Sequence, residues 1–249
     1  MILMSKILND IATNSISLTE CLQRLLIIAN KTNNKDLSEW CSKELTGYKS
    51  KNALPDYRKF KSRNIIYSGI NGRFQITGQP IQPGYLSEET LNLIEDVPLC
   101  ESITEVEKRK DIDSGLSRDL TYLVTEVYRR TKDEDFGIGV QCTSIQQLIP
   151  QQFYGEIFSA VKIRVINLLC YYEGKNVDLD NLDVLKNRNN SNEENIQIFN
   201  KIVIEGNAYA PSKKERKIIW NVIVPIITCI VGGIISGVLV YLITNVWLQ

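Results

Sequence analysis

Histidine is absent from the 249-residue chain. That absence removes the serine and cysteine hydrolase arrangements built on an imidazole base, and, because no cysteine pair has the C-x-x-C spacing, the common zinc sites go with it. The six cysteines, Cys21, Cys41, Cys100, Cys142, Cys170 and Cys229, read as free thiols, three of them among apolar neighbours at helical spacing. Met1 to Asp10 lacks a basic start, a long apolar run and a small-residue cleavage site. It does not read as a signal peptide, so no disulfide framework is expected. An excess of either charge is also lacking. The 29 Lys and Arg balance the 29 Asp and Glu, which favours neither a nucleic-acid binder nor an enzyme for acidic substrates. There is no G-x-x-x-x-G-K-S/T and no strand-linked G-x-G-x-x-G, so neither ATP-driven action nor any cofactor is expected.

One more absence is a positive signal: from Ile218 to Gln249 no residue is charged. The central run Val222 to Ile243 is almost wholly Ile, Val, Leu and Gly, and at about 1.5 Å per residue it covers about 33 Å, against a hydrocarbon core of about 30 Å. Trp220 and Asn221 at one end, with Tyr241 and Trp247 at the other, suit the two interfaces. Lys213, Lys214, Arg216 and Lys217 crowd the near side and no Lys or Arg follows, which places the N-terminal part in the cytoplasm. The competing reading, a core helix of a soluble protein, suits shorter uncharged runs. Within the run, Gly233 and Gly237 form one small-residue pair four apart, and Gly232 with Ser236 forms a second. Such pairs let two helix backbones approach closely, although spacing by chance gives the same pattern.

The remainder, 43% hydrophobic and 23% charged over the whole chain, is enough for one main domain. Helices are expected over Ser5 to Ala12, over Ser17 to Ala29 behind a Ser17/Glu20 capping box, and over Lys35 to Thr46 with Gly47 as C-terminal cap. The last should turn Leu37, Trp40, Cys41 and Leu45 inward. Runs Arg63 to Ser68 and Arg73 to Thr77 flank Asn71-Gly72 as a hairpin. Gln79 to Gly84 is a loop, Ser87 opens a helix through Ile94, and another helix lies near Glu101 to Lys110. Ser117 is read as the cap of a helix carrying Leu120, Leu123, Val124 and Val127, and Phe136 to Thr143 as a strand. Gln151 to Tyr172 is the longest helix, apolar on Tyr154, Ile157, Phe158, Val161, Val165, Leu168, Leu169 and Tyr172, with Ile163, Ile166 and Cys170 widening the face. Glu173 to Asn195 reads as a polar linker, and Ile196, Ile198, Ile202 and Ile204 alternate as in a strand.

Trp40, Glu44-Leu45, Gly47-Tyr48, Leu54-Pro55-Asp56-Tyr57-Arg58, then Pro83, Leu86, Glu88 and Leu91, then Ile149-Pro150 and the helix with Val161 to Arg164 occur in an order and spacing that resembles the AbiTii family. The resemblance spans roughly Ser5 to Tyr172, with the segment Ile196 to Ile204 similar to what often follows that domain. It implies a role in abortive-infection defence against phage. It brings no reaction, ligand or functional residue with it.

Three clusters invite a sharper reading. Tyr57-Arg58-Lys59-Phe60-Lys61-Ser62-Arg63 interleaves cations with aromatics as a phosphate grip would, but a solvated strand edge fits the balanced charge better, and nucleic acid is not an expected partner. Asp111 with Asp113, and Asp133-Glu134-Asp135, lack calcium-loop spacing and read as solvated turns, so no metal is expected. Tyr57 and Arg58 are interaction candidates, against a structural pairing of Arg58 with an acid. The expected fold class is α+β: a mostly helical soluble domain with a small antiparallel β element, followed by one C-terminal transmembrane helix. Its divisions are a cytoplasmic domain over 4–172, a linker over 173–195, a strand and basic juxtamembrane segment over 196–217, and an anchor over 218–248. The expected function is non-enzymatic: a membrane-anchored defence protein that responds to a phage or host protein, and whose anchor self-associates in the bilayer as a homo-oligomer and perturbs the host membrane. The alternatives are a tethered scaffold that recruits a toxic partner, or a nuclease-type enzyme.

Overall fold

A computed structural model of the chain describes residues 5–82, 84–112, 116–130, 139–174, 179–180 and 199–206. The chain divides into two units, one of Met1–Cys41 with Lys162–Gln249 and the other of Ser42–Val161, and the division falls within two helices.

The first unit is helical over its described residues. Helix α1 (Lys6–Ala12) buries Ile7, Leu8 and Ile11. Its first backbone N–H groups have no partner inside the helix. Glu173 accepts from Ser5 N at 2.5 Å and Asp180 from Lys6 N at 2.9 Å, both carboxylates that suit a helix N-terminus. Helix α2 (Leu18–Lys31) starts as its sequence requires, with Ser17 Oγ accepting from Glu20 N at 3.0 Å, and buries Leu18, Cys21, Leu22, Leu25, Ile28 and Ala29. Asn34 caps helix α3 (Lys35–Thr46) through Leu37 N at 3.1 Å. Helix α7 (Gln152–Gly174) contributes Val165, Ile166, Leu168, Leu169 and Cys170 to this unit's core, while Ile163 is 42% exposed and does not widen the face.

Two features of this unit depart from the sequence reading. Phe199–Ile204 is a π-helical segment, where alternation had suggested a strand. The adjacent residues Ile202 and Val203 are both buried and Ile204 is 57% exposed, which breaks the alternation the sequence suggested. Arg164 Nε donates to Val203 O at 2.8 Å, fixing the segment to α7. At the start of the polar stretch read as a linker, Leu179 is buried and Asp180 holds α1.

The second unit holds both sheets. The hairpin forms as expected from β2 (Ile65–Asn71) and β3 (Phe74–Pro80), with Gly72 and Arg73 between the strands. The four-stranded antiparallel sheet runs β3-β2-β6-β5, where β5 is Leu116–Asp119 and β6 is Val140–Ile149. Opposite Ser68 both neighbouring strands shift register, and at this level Gly69 lies so close to Gln141 O that a side chain has no room. A separate two-stranded ribbon pairs β1 (Lys59–Lys61) with β4 (Asp96–Pro98). Ile65, Tyr67, Val140, Cys142 and Ile145 line one sheet face. They pack with Ile94 of α4 (Glu88–Ile94), Val127 of α6 (Val124–Arg130), and Leu86, Leu120 and Leu123. Helix α5 (Ile103–Arg109) is capped by Ser102.

Ser117 does not cap a helix: it lies in β5 opposite Leu148 of β6, and the chain turns later, where Asp119 Oδ1 accepts from Thr121 N at 2.9 Å. The strand expected to end at Thr143 continues to Ile149; its proposed start at Phe136 lies outside the described residues. So does the whole anchor region, including Lys213, Lys214, Arg216, Lys217, Gly232, Gly233, Ser236 and Gly237. Among the described residues no helix is long and apolar enough to cross a membrane.

Candidate functional site

Three of the residue groups that carried the family resemblance, those with Glu44, Tyr48 and Tyr57-Arg58, meet inside the second unit. Glu44 follows Trp40 and Cys41 on the inward stripe of α3, so helix periodicity carries a carboxylate into the interior. Gly47, at φ +86°, ends the helix, and a Cβ there would sit 2.8 Å from Cys100 O. Tyr48 N then donates to that same carbonyl at 2.8 Å. Pro55 starts a 3₁₀ turn over Asp56–Arg58, which delivers Tyr57 and Arg58 to Glu44.

Glu44 Oε1 accepts from Tyr48 OH at 2.7 Å, Tyr57 OH at 2.6 Å and Arg58 Nε at 3.3 Å, and Oε2 accepts from Arg58 Nη2 at 2.5 Å. Both side chains of the ion pair are fully buried. Arg58 Nη1 donates to Leu99 O at 3.1 Å and Glu101 O at 2.9 Å, and the guanidinium lies 5.1 Å from the Tyr48 ring centre. Burial opposes the charge on Arg58, yet the Glu44 carboxylate outweighs it and raises the pKa. Burial and then Glu44 push the Tyr48 hydroxyl up as well, so it remains a donor. Every partner of Glu44 is a donor from the chain itself. The arrangement is a clamp that joins the end of α3, the Leu54 to Arg58 turn and the 99–101 segment. Its chemistry is cohesion, with no reacting group presented. Arg58 is therefore withdrawn from any surface contact and Tyr57 is half-buried with its hydroxyl engaged.

The basic run is answered by acids. Lys59 pairs with Asp56 at 2.8 Å, Lys61 with Glu95 at 2.5 Å, and Arg63 with Glu95 at 2.9 Å and Glu88 at 3.2 Å. The hydrogen bonds to Lys61 and Arg63 hold the Glu95 carboxyl below its usual range. These cations are thus spread among local carboxylates and do not form an open phosphate track. Asp111 pairs with Lys110 at 2.5 Å, while Asp113 and 133–135 lie outside the described residues. Among the described residues no cluster of three or more Cys, Asp or Glu could hold a metal ion. Cys21, Cys41, Cys142 and Cys170 are buried free thiols, and Cys100 is half-buried. Burial pushes Cys21 and Cys170 up to about 12 and Cys142 to about 11, which makes poor nucleophiles of them at neutral pH.

Sequence reasoning had turned Leu45 inward and left Glu44 aside; the structure half-buries Leu45 and makes Glu44 the centre. The signal was its position three and four residues beyond Cys41 and Trp40, overridden by the presumption that a charge faces water.

The fold and this cluster define an α+β protein in which Glu44, Tyr48, Tyr57 and Arg58 serve as an internal clamp. The AbiTii family model matches residues 2–198, and the chain belongs to that family, which implies abortive-infection defence against phage. No curated protein and no solved structure matches the chain.

Proposed function

We propose that the chain is a membrane-tethered abortive-infection effector that acts by association, without a reaction of its own. The uncharged stretch from Ile218 to Gln249, behind Lys213, Lys214, Arg216 and Lys217, carries this reading when joined to the family membership. Basic residues on the near side hold the folded units in the cytoplasm, where they meet a phage or host protein. The anchor crosses the bilayer, and its small-residue face at Gly232, Gly233, Ser236 and Gly237 brings copies together and perturbs the host membrane.

Membrane potential during infection tests this. Cells expressing the full chain should depolarise, whereas cells expressing a chain that ends near Ala210 should keep their potential and lose protection. Equal depolarisation by the shortened chain removes the anchor from the mechanism. Depolarisation that requires a second host protein converts the anchor into a tether for a recruited partner.

A further inference from the structure

We propose that Arg164 is a positioning residue for the anchor: it holds the 199–206 segment on α7, so that the chain sets out for the bilayer from Gly206 and the folded part stays on a short tether. This role rests on the membrane tether proposed above. The π-helical segment Phe199–Ile204 has six residues. So short a helix does not persist in water by itself, and packing has to hold it. Ile202 and Val203 are 2% and 1% exposed, and Arg164 Nε donates to Val203 O at 2.8 Å. Beyond Ile204 the backbone turns over the same side chain. Gly206 has φ +71°, and a Cβ there would stand 2.7 Å from Arg164 Nη2. A side chain at 206 would meet both a left-handed backbone and the guanidinium that holds Val203. Arg164, Ile202, Val203 and Gly206 all belong to the first unit.

Asp180, which accepts from Lys6 N, is the described residue before this segment that is fixed to the same unit. Were 199–206 released, residues 181–217 would separate that fixed point from the uncharged stretch, and covalent geometry would let them span about 130 Å at ~3.5 Å each. With 199–206 docked only 207–217 remain, and whatever conformation they take they reach no further than about 40 Å. A small domain is about 30 Å across. The docked segment thus keeps the first unit within little more than one domain diameter of the bilayer, where release would let it drift several diameters away. Folded units carried on packed anchors stay at one level beside each other, which raises the concentration at which they meet.

The distance from the folded unit to the bilayer tests this. Full-length chains with Cys100→Ser, Cys229→Ser and Ile163→Cys carry a donor dye at position 163, which is 42% exposed on α7 beside Arg164. They are reconstituted into phosphatidylethanolamine–phosphatidylglycerol vesicles with acceptor-labelled headgroups, and vesicle flotation reports attachment separately. An insert of about 20 Gly and Ser residues after Asn190 lies before the docked segment and should leave energy transfer at the parent's level. The same insert after Ala208 lies beyond the segment and should lower transfer at least about twofold, because it lengthens the only stretch left free to extend. Arg164→Gln with Val203→Asp removes the hydrogen bond and the buried contact together. That double variant should lower transfer without any insert, and the insert after Asn190 should then lower it further. In chains that float with the vesicles, equal effects of the two inserts, or parent-level transfer in the double variant, overturn the positioning role and leave the tether standing. Chains that do not float overturn the tether, and the positioning role with it.

Discussion

Removing one partner of the Glu44–Arg58 pair leaves a charge in a dry interior, where water cannot replace what was lost. Arg58→Met or Glu44→Gln should each cost about 3–5 kcal/mol, read from urea unfolding of the full-length protein. The double variant should lose less than the sum, because neither charge is then stranded. Additive losses would mean that the two residues act independently. The pairing of Arg58 with an acid was legible in the sequence as the bland alternative to a contact site. The identity of the acid was not, because Glu44 is fourteen positions away and reaches Arg58 only once α3 and the 3₁₀ turn are in place. Tyr48 entered the sequence reading only through the resemblance and Tyr57 as an interaction candidate; that both hydroxyls converge on one oxygen of Glu44 was not legible there.

At the scale of elements, Glu126 on α6 ties down the start of α4. Its carboxylate accepts from Thr90 Oγ1 at 2.8 Å, from Ser87 Oγ at 3.2 Å and from Ser87 N at 3.3 Å. Burial raises this carboxyl's pKa, but the hydrogen bonds from Thr90 and Ser87 outweigh it and the net shift is downward from 4.5. A depressed carboxyl pKa contributes stability that is complete above the unfolded value and is lost as pH falls through the folded one. Urea midpoints measured from pH 7 to pH 3.5 should therefore fall less steeply below about pH 4.5 in Glu126→Gln than in the parent. Identical slopes would show that Glu126 does not contribute to the acid limb. Caps of this kind explain which elements were legible. Ser17, Ser87 and the Asn71-Gly72 signal act within a few residues, and α2, α4 and the hairpin appear where they were expected. Strands β1, β4 and β5 are three or four residues long and exist through pairing with distant partners, which no local window contains. Ser117 before an apolar stripe imitates a helix cap, yet pairing with β6 overrode it.

For the whole molecule, the family match ends at residue 198 and the uncharged stretch begins at 218, so the anchor proposed there rests on the sequence of that stretch and not on the match. In a bilayer no hydrophobic force draws one apolar helix to another, because lipid tails are as apolar as leucine. Association has to come from close backbone packing, and at Gly233 and Gly237 that closeness depends on missing side chains. Gly232 and Ser236 offer a second small pair, so replacing only two glycines leaves a substitute face. Gly232→Ile, Gly233→Ile and Gly237→Ile together keep the run apolar and long enough to insert while holding two backbones apart. This variant should fractionate with membranes at the parent's level, yet anchor cross-linking should drop about tenfold, infected cells should hold their potential and phage protection should fall. If cross-linking and protection both stay at the parent's level, anchor packing has no part in the mechanism. The bilayer is then only the surface that concentrates the folded units.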